Sequence, residues 1–322
     1  MNSLRTRFKK LLENYMDSVN GVLAVTVCDR EGLVITSESK EETEDEFVMG
    51  AIAAAVDSYI DRIKREFQSE TTFFNITTIG NKKFAYCSMG LQSILLTISD
   101  LQSSDTQLRV FSEHIATKVE LLLEGHENVS LEIPTIVKIL STTKDGKIPK
   151  GDFSTKIILV GNYNVGKTSL IMRFVQNLFQ DSYHSTIGVE ISKKDMELSE
   201  ETFINFVIWD IGGQITQMAP YRRKFYEGAQ SAFIVIDRTR PDNLKSVDLW
   251  HNEIKKYVGK EISIIIVGNK SDVVEDIEIS EESIKMIAEE KGFHYILTSA
   301  KTGENVHDLF LYIAYKFLEG VS

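Results

Sequence analysis

The residues of this chain whose types and spacing could do chemistry begin with "GNYNVGKT" at 161–168, which has the form GxxxxGK[ST] and lies between an apolar run, "TKIILV", and a helical segment. In that setting glycines let backbone N–H groups turn inward on a phosphate chain, and the helix that follows offers the positive end of its dipole. Gly161, Asn164, Val165, Gly166 and Ser169 fall in this cradle, with Lys167 placed to neutralise β and γ oxygens and the Thr168 hydroxyl to ligate magnesium. Downstream, "WDIGGQ" sets Asp210 at the carboxyl end of the run "INFVIWD", where an acidic group can hold the metal's shell. Gly213 can bring its backbone to a γ-phosphate, and Gln214 can orient an attacking water. The run "GNKSD" ends another strand, and its Asp272 offers acceptors to the guanine N1 and 2-amino groups, a pattern that adenine cannot supply.

With these motifs in their order, residues 155–319 resemble a Ras-superfamily small GTPase, closest in flavour to the Rab proteins. The resemblance implies GTP/GDP and Mg2+ as cofactors and a GTP-hydrolysing switch served by activating and exchange factors. It places Thr186, in "YHSTIGVE", on the magnesium and γ-phosphate sensor, and Phe179 on the edge of the base. It carries Asn269, Lys270 and Asp272 to guanine recognition, and Ser299, Ala300 and Lys301, in "TSAKTG", to the loop closing on the base. Lys167, Thr186 and Gln214 are the implied catalytic residues; Thr168, Thr186 and Asp210 are the implied metal ligands.

Four features depart from the family pattern. The stretch from Gln214 to "YEGA" is one residue longer and contains Pro220; Ile211-Gly212 reads more like Arf or Gα; and His184 stands where Gα proteins carry an arginine. Tyr163, third in the phosphate loop, is large where the family keeps a small residue. Its phenol could cap the phosphates, brake hydrolysis by crowding Gln214 and an incoming arginine, or swing to solvent. The rival to a hydrolysing switch is a GTP-bound scaffold that does not turn over.

The elements that must position these groups read as an α/β domain. From Thr155 onward, near-continuous Ile/Val runs alternate with helical segments near 168–177, 242–257, 280–291 and 305–318, which predicts a mostly parallel sheet with helices on both faces. A chain of 322 residues has room for a second domain. Leu4, Phe8, Leu11, Leu12, Tyr15, Met16 and Val19 mark an amphipathic helix, and "GVLAVTVCD" and "GLVITSES" a hairpin turning at Asp29 and Gly32. Val48, Ile52, Ala55, Tyr59 and Ile63 mark a second helix after the acidic run Glu41 to Glu46. Three strand-like runs follow, and a helix carrying Leu108, Phe111, Ile115, Val119 and Leu122 closes the unit.

That order, with "GVLAVTVCDREGLVITS" near its start, resembles the roadblock family, the dynein light-chain-like modules that pair with one another and regulate small GTPases. The expected plan is therefore an α+β roadblock/profilin-like domain over 1–125, a linker over 126–153 rich in Gly, Pro, Ser and Thr, and the GTPase over 154–322. The resemblance implies a homodimer, or pairing with other roadblock proteins, through residues 1–125.

Composition narrows the remainder. The chain is 43% hydrophobic and 26% charged, as in ordinary globular proteins, and its net charge of −11, shared between the halves, speaks against nucleic acid or an anionic membrane as partner. Cys28 and Cys87 sit in apolar alternating runs and read as core residues, and the six histidines show no metal-ligand pairing. No run reaches the roughly 20 apolar residues of a membrane span, and no signal or lipidation code is evident, so the reading is cytoplasmic with no intrinsic membrane anchor.

Overall fold

The computed structural model describes residues 2–40, 46–67, 73–88, 93–126, 129–134, 137–138, 149–180, 188–199, 202–213 and 222–321. The chain divides into two compact units, Met1–Gly146 and Lys147–Ser322.

In the first unit the order is α1 (Asn2–Ser18), β1 (Val22–Asp29), β2 (Val34–Ser39), α2 (Glu46–Phe67), β3 (Phe73–Ile79), β4 (Lys82–Ser88), β5 (Ser93–Asp100) and α3 (Asp105–Leu123). The strands form one antiparallel sheet in the order β2-β1-β5-β4-β3, with β2 and β3 at its edges. The hairpin turns where the sequence places it: Asp29 Oδ1 accepts from the N–H groups of Glu31 (2.9 Å) and Leu33 (2.8 Å), and Gly32 takes the left-handed φ of 87° that the turn requires.

Alternation along the strands splits the core into two layers. Ala24, Cys28, Tyr86, Ile94, Leu96 and Ile98 pack with Met49 and Ala53 of α2. Tyr15 of α1 stacks on Phe111 of α3 (6.0 Å) and shares a 2.9 Å hydrogen bond with Ser112. Both cysteines are free and buried, as their neighbours in sequence suggested.

Helix α2 forms where its spacing predicts, but with the opposite face inward. Met49, Ala53, Asp57 and Ile60 are buried, while Val48 (53% exposed), Ile52 (39%) and Tyr59 (66%) face outward together with Ala55. The inward face is partly polar. Arg30 Nη1 binds Asp57 Oδ2 and Asp61 Oδ1, both at 3.1 Å, and the Tyr86 hydroxyl donates to Asp57 Oδ1 at 2.9 Å. The side chain of Ile63 and the run Glu41 to Asp45 lie outside the described residues.

Residues 126–153, expected to be a linker, are structured at both ends. Val129, Ile133 and Val137 are buried. Arg7 and Asn14 of α1 donate to the carbonyls of Val129 (2.7 Å) and Leu131 (2.9 Å), and the buried Lys118 ammonium donates to those of Ser130 and Glu132. From Gly151 the chain is already in strand. The composition of the stretch hides part of this, because its hydrogen bonds to α1 and α3 are accepted by backbone carbonyls that any sequence carries.

The second unit holds β6 (Gly151–Val160), α4 (Lys167–Gln176), β7 (Val189–Ser199), β8 (Thr202–Ile211), α5 (Arg222–Tyr226), β9 (Ser231–Asp237), α6 (Asp242–Val258), β10 (Ser263–Asn269), a single 3-10 turn (Val274–Asp276), α7 (Glu281–Lys291), β11 (His294–Leu297) and α8 (Val306–Glu319). Its sheet runs β11-β10-β9-β6-β8-β7. It is mixed: β7 pairs antiparallel with β8, and the other pairs are parallel. Helices cover both faces. Val247, Trp250, Ile254, Ile284 and Ala288 of α6 and α7 pack on Ile158, Val160, Ile234 and Ile266, and Phe174 of α4 stacks on Phe310 of α8 at 3.7 Å, with Phe206 and Phe233 meeting Phe310 edge-on. Strand β7, "VEISKKDMELS", escapes a search for Ile/Val runs because an edge strand keeps polar residues along much of its length.

Candidate functional site

The phosphate loop lies at the carboxyl end of β6, and its glycines are there for space as well as conformation. A Cβ on Gly161 (φ 147°) would lie 2.2 Å from the Val235 carbonyl oxygen, and one on Gly166 (φ 96°) would lie 2.2 Å from the Asn269 amide nitrogen. Asn164 also takes a left-handed φ of 60°, which Asn tolerates better than most side chains. The loop wraps the Lys167 ammonium, which donates to the carbonyls of Gly161 (2.9 Å) and Asn162 (3.0 Å). Burial pushes this ammonium down to about 8, against the nearby Asp210 charge that favours the protonated form.

The Thr168 hydroxyl donates to Asp210 Oδ2 across the gap between α4 and β8, and Asp210 is buried. A hydroxyl and a carboxylate in contact, beside the lysine that the loop wraps, are hard oxygen donors that fit Mg2+. Thr168 and Asp210 would hold the metal, which would offset the charge of the phosphate oxygens when bound.

On the base side, Asn269 acts as a staple. Its Nδ2 donates to the Val165 carbonyl (2.9 Å), and its Oδ1 accepts from the Thr298 hydroxyl (3.2 Å) and the Ala300 N–H (3.2 Å), so one side chain joins the phosphate loop to the loop after β11. Lys270, at a left-handed φ of 67°, pairs with the buried Asp237 at 2.7 Å. The Asp272 carboxylate accepts from the Ser299 hydroxyl at 2.7 Å, which orients it.

A cavity of about 460 Å³ collects Asn164, Gly166, Lys167, Thr168, Ser169, Phe179, Gly213, Asn269, Lys270, Asp272, Ala300 and Lys301, and Tyr163, Met172, Gln180, Glu190 and Val273 line it as well. That size suits a small-molecule site. Gly161, Val165, Asp210 and Ser299 stand behind its wall in the contacts above. Tyr163, 45% exposed, lines the cavity, and its carbonyl accepts from Arg240 Nη1 at 3.4 Å. Thr186, Gln214, His184 and Pro220 lie outside the described residues.

Two residues that sequence reasoning passed over hold this site from outside. Arg173 on α4 donates through Nε to the Ala300 carbonyl (2.9 Å) and through Nη2 to that of Lys301, fixing the base-side loop to the helix that begins at the phosphates. Trp250 on α6, fully buried, donates its indole N–H to Asn162 Oδ1 at 3.0 Å. Neither carries a motif: an arginine late in a helix and a tryptophan on an amphipathic face read as surface and core.

A glycine-rich loop between a strand and a helix, a hydroxyl–carboxylate pair beside it and a second carboxylate held by Ser299 on the same cavity define a P-loop nucleotide-binding α/β domain. Residues 156–319 match the Ras family. The chain is 36% identical over 166 residues to "Ras-related protein Rab-1D" of Dictyostelium discoideum, covering 52% of this chain and 80% of that protein. It is similarly 36% identical over 166 residues to "GTP-binding protein YPTM2" of Zea mays, covering 52% and 81%. With "Ras-related protein Rab-30" of Homo sapiens it shares 34% identity over 167 residues, again 52% and 81%. The chain belongs to the Ras family, and it is accordingly a GTPase that hydrolyses GTP to GDP and binds GTP/GDP and Mg2+. Residues 1–155 lie outside the family match, and among the described residues no helix is long and apolar enough to cross a membrane.

Proposed function

We propose that this protein is a Rab-like GTP-dependent switch in intracellular signalling or trafficking, whose N-terminal unit is a roadblock-like module that assembles two copies. For the switch, the observation that carries the reading is the joining of phosphate loop and base loop by one satisfied side chain, Asn269. The roles follow the positions. Loop N–H groups and Lys167 stabilise charge on the phosphoryl oxygens, Thr168, Thr186 and Asp210 hold the metal, and Gln214 orients the water for in-line attack. Phe179, Lys270 and Lys301 bound the base, and Asp272 reads its donors. No arginine is assigned to the γ-phosphate from within, so a partner's arginine supplies that charge. The non-hydrolysing scaffold has no observation behind it.

For assembly, two features of the first unit support the reading. Among the described residues, β3 has a strand partner on one side only, and the outward stripe Val48, Ile52, Ala55 and Tyr59 on α2 is apolar where a monomer would be polar. A second copy of the unit would cover both. The test is a pair of measurements on the full chain: titration with GTP and ATP, where equal affinities would defeat the base assignment, and light scattering at micromolar concentration, where a monomer would defeat the homodimer.

A further inference from the structure

Asn162 sits at a crossing of contacts. Its carbonyl accepts from Lys167 Nζ (3.0 Å), its side chain accepts from the Trp250 indole (3.0 Å), and its peptide supports Gly213 so closely that a Cβ there would lie 2.7 Å from Asn162 C and 2.6 Å from Tyr163 N. Gly213 is the residue just before Gln214. The same helix that carries Trp250 carries Glu253 one turn on, and Glu253 Oε1 takes an ion pair from Arg222 Nε (2.8 Å) and a hydrogen bond from the Tyr226 hydroxyl (2.6 Å). Arg222 and Tyr226 lie on α5, the first described element after the Gln214 stretch, and both are buried. The Arg222 guanidinium also lies 5.9 Å from the Trp250 ring. Thus α6 holds the ground on which Gly213 rests and the helix into which the following stretch leads.

We propose that Trp250 and Glu253 are positioning residues for hydrolysis: together they set the two anchors between which Gln214 is carried. None of Asn162, Trp250 and Glu253 is among the residues lining the nucleotide cavity, so replacing their side chains removes no direct nucleotide contact. A buried ion pair with a hydroxyl–carboxylate hydrogen bond at one end, and the hydrogen bond of a buried indole at the other, resist displacement better than solvated contacts do, which is what holding a reacting group in place demands.

The test separates hydrolysis from nucleotide release. Trp250→Phe and Asn162→Ala should each slow single-turnover GTP hydrolysis about fivefold, the factor one net hydrogen bond represents, while release of a fluorescent GDP analogue stays within about twofold of the wild type. Because both remove the same bond, the double variant should be no slower than either single one. Glu253→Gln should also slow hydrolysis and spare release. In a Trp209→Phe background, Asn162→Ala should move the Trp250 emission of the nucleotide-free protein to shorter wavelength, a signature of the lost bond that needs no turnover. Wild-type hydrolysis in Trp250→Phe, losses that multiply in the double variant, or equal changes in release and hydrolysis would each overturn the proposal. It rests on the role given to Gln214, and Gln214→Leu keeps the two distinguishable: undiminished hydrolysis there defeats that role, whereas a dead Gln214→Leu beside an unaffected Trp250→Phe defeats only the positioning.

Discussion

Helices α2 and α6 are both long and amphipathic, and they are used in opposite ways. On α6, Val247, Trp250 and Ile254 are buried, while Asp242 and Lys245 keep 93% and 87% of their side chains in water. On α2 the carboxylate of Asp57 is buried, paired with Arg30 and Tyr86, while Val48, Ile52 and Tyr59 face out. Burying an ionised group is costly unless it is fully paired, and exposing an apolar stripe forgoes about 25 cal/mol for each Å² left in water. Helix α6 completes its own unit and braces a reaction site, whereas α2 has an energetic reason to meet a second body.

The largest expected effect isolates the second unit. Asp272→Asn replaces a charged double acceptor with a group that offers guanine a donor where it has one already, so GTP affinity should fall about a hundredfold or more. Xanthine nucleotides should gain, and light scattering should be unchanged. Retained preference for GTP over xanthosine triphosphate would remove Asp272 from the base site.

Tyr59→Asp makes the reverse separation. A charge in the centre of the α2 stripe should weaken self-association about tenfold or more, as loss of an aromatic anchor does at interfaces, with GTP affinity unaltered. If sedimentation showed unchanged association, the stripe would not be the contact.

A smaller effect follows from the buried Lys167. Its ammonium loses its proton near pH 8 in the free protein, well below the ordinary lysine value of 10.5, whereas phosphate oxygens favour the charged form. GTP binding should therefore take up a proton between pH 8 and 9, and affinity should decline as pH rises through that window, by at most about tenfold per unit. The unfolded chain holds the proton more tightly, so this group makes the free protein more stable, not less, as pH rises from about 8. Calorimetry in buffers of different ionisation heat reads the proton directly; none taken up would mean that Lys167 is already charged.

The smallest effect concerns Tyr163. With the ring lining the cavity at 45% exposure, Tyr163→Gly should raise intrinsic hydrolysis a few-fold from a base at or below the order of 10⁻⁴ to 10⁻³ per second, leaving GTP affinity within a few-fold. Tyr163→Phe distinguishes a cap, since faster nucleotide release in that variant would show the hydroxyl engaged with phosphate.

The motif residues Gly166, Lys167, Thr168 and Asp272, which the fold gathers at one cavity, stand out in the sequence because a triphosphate and a guanine edge would ask for those residue types at a fixed spacing. The parallel strands were legible for a similar reason, since a central strand such as β9 is buried along its whole length and reads as a near-continuous apolar run. What supports the site was not. Arg173 acts on backbone carbonyls that any sequence presents and Trp250 on the side-chain oxygen of one asparagine, at partners 127 and 88 residues away, and no local pattern encodes such a meeting.

In the N-terminal half, periodicity alone determined that the stretch carrying Val48, Ile52, Ala55, Tyr59 and Ile63 forms a helix, because apolar residues three and four apart specify a period. It could not determine which face turns inward. That was decided by the tertiary structure, where Arg30 from the β1–β2 turn and Tyr86 from β4 arrive at the position that buries Asp57. A period fixes a helix's stripe only relative to its own axis; which stripe is covered depends on what the sheet beneath offers, and here it offers an arginine and a phenol to a carboxylate.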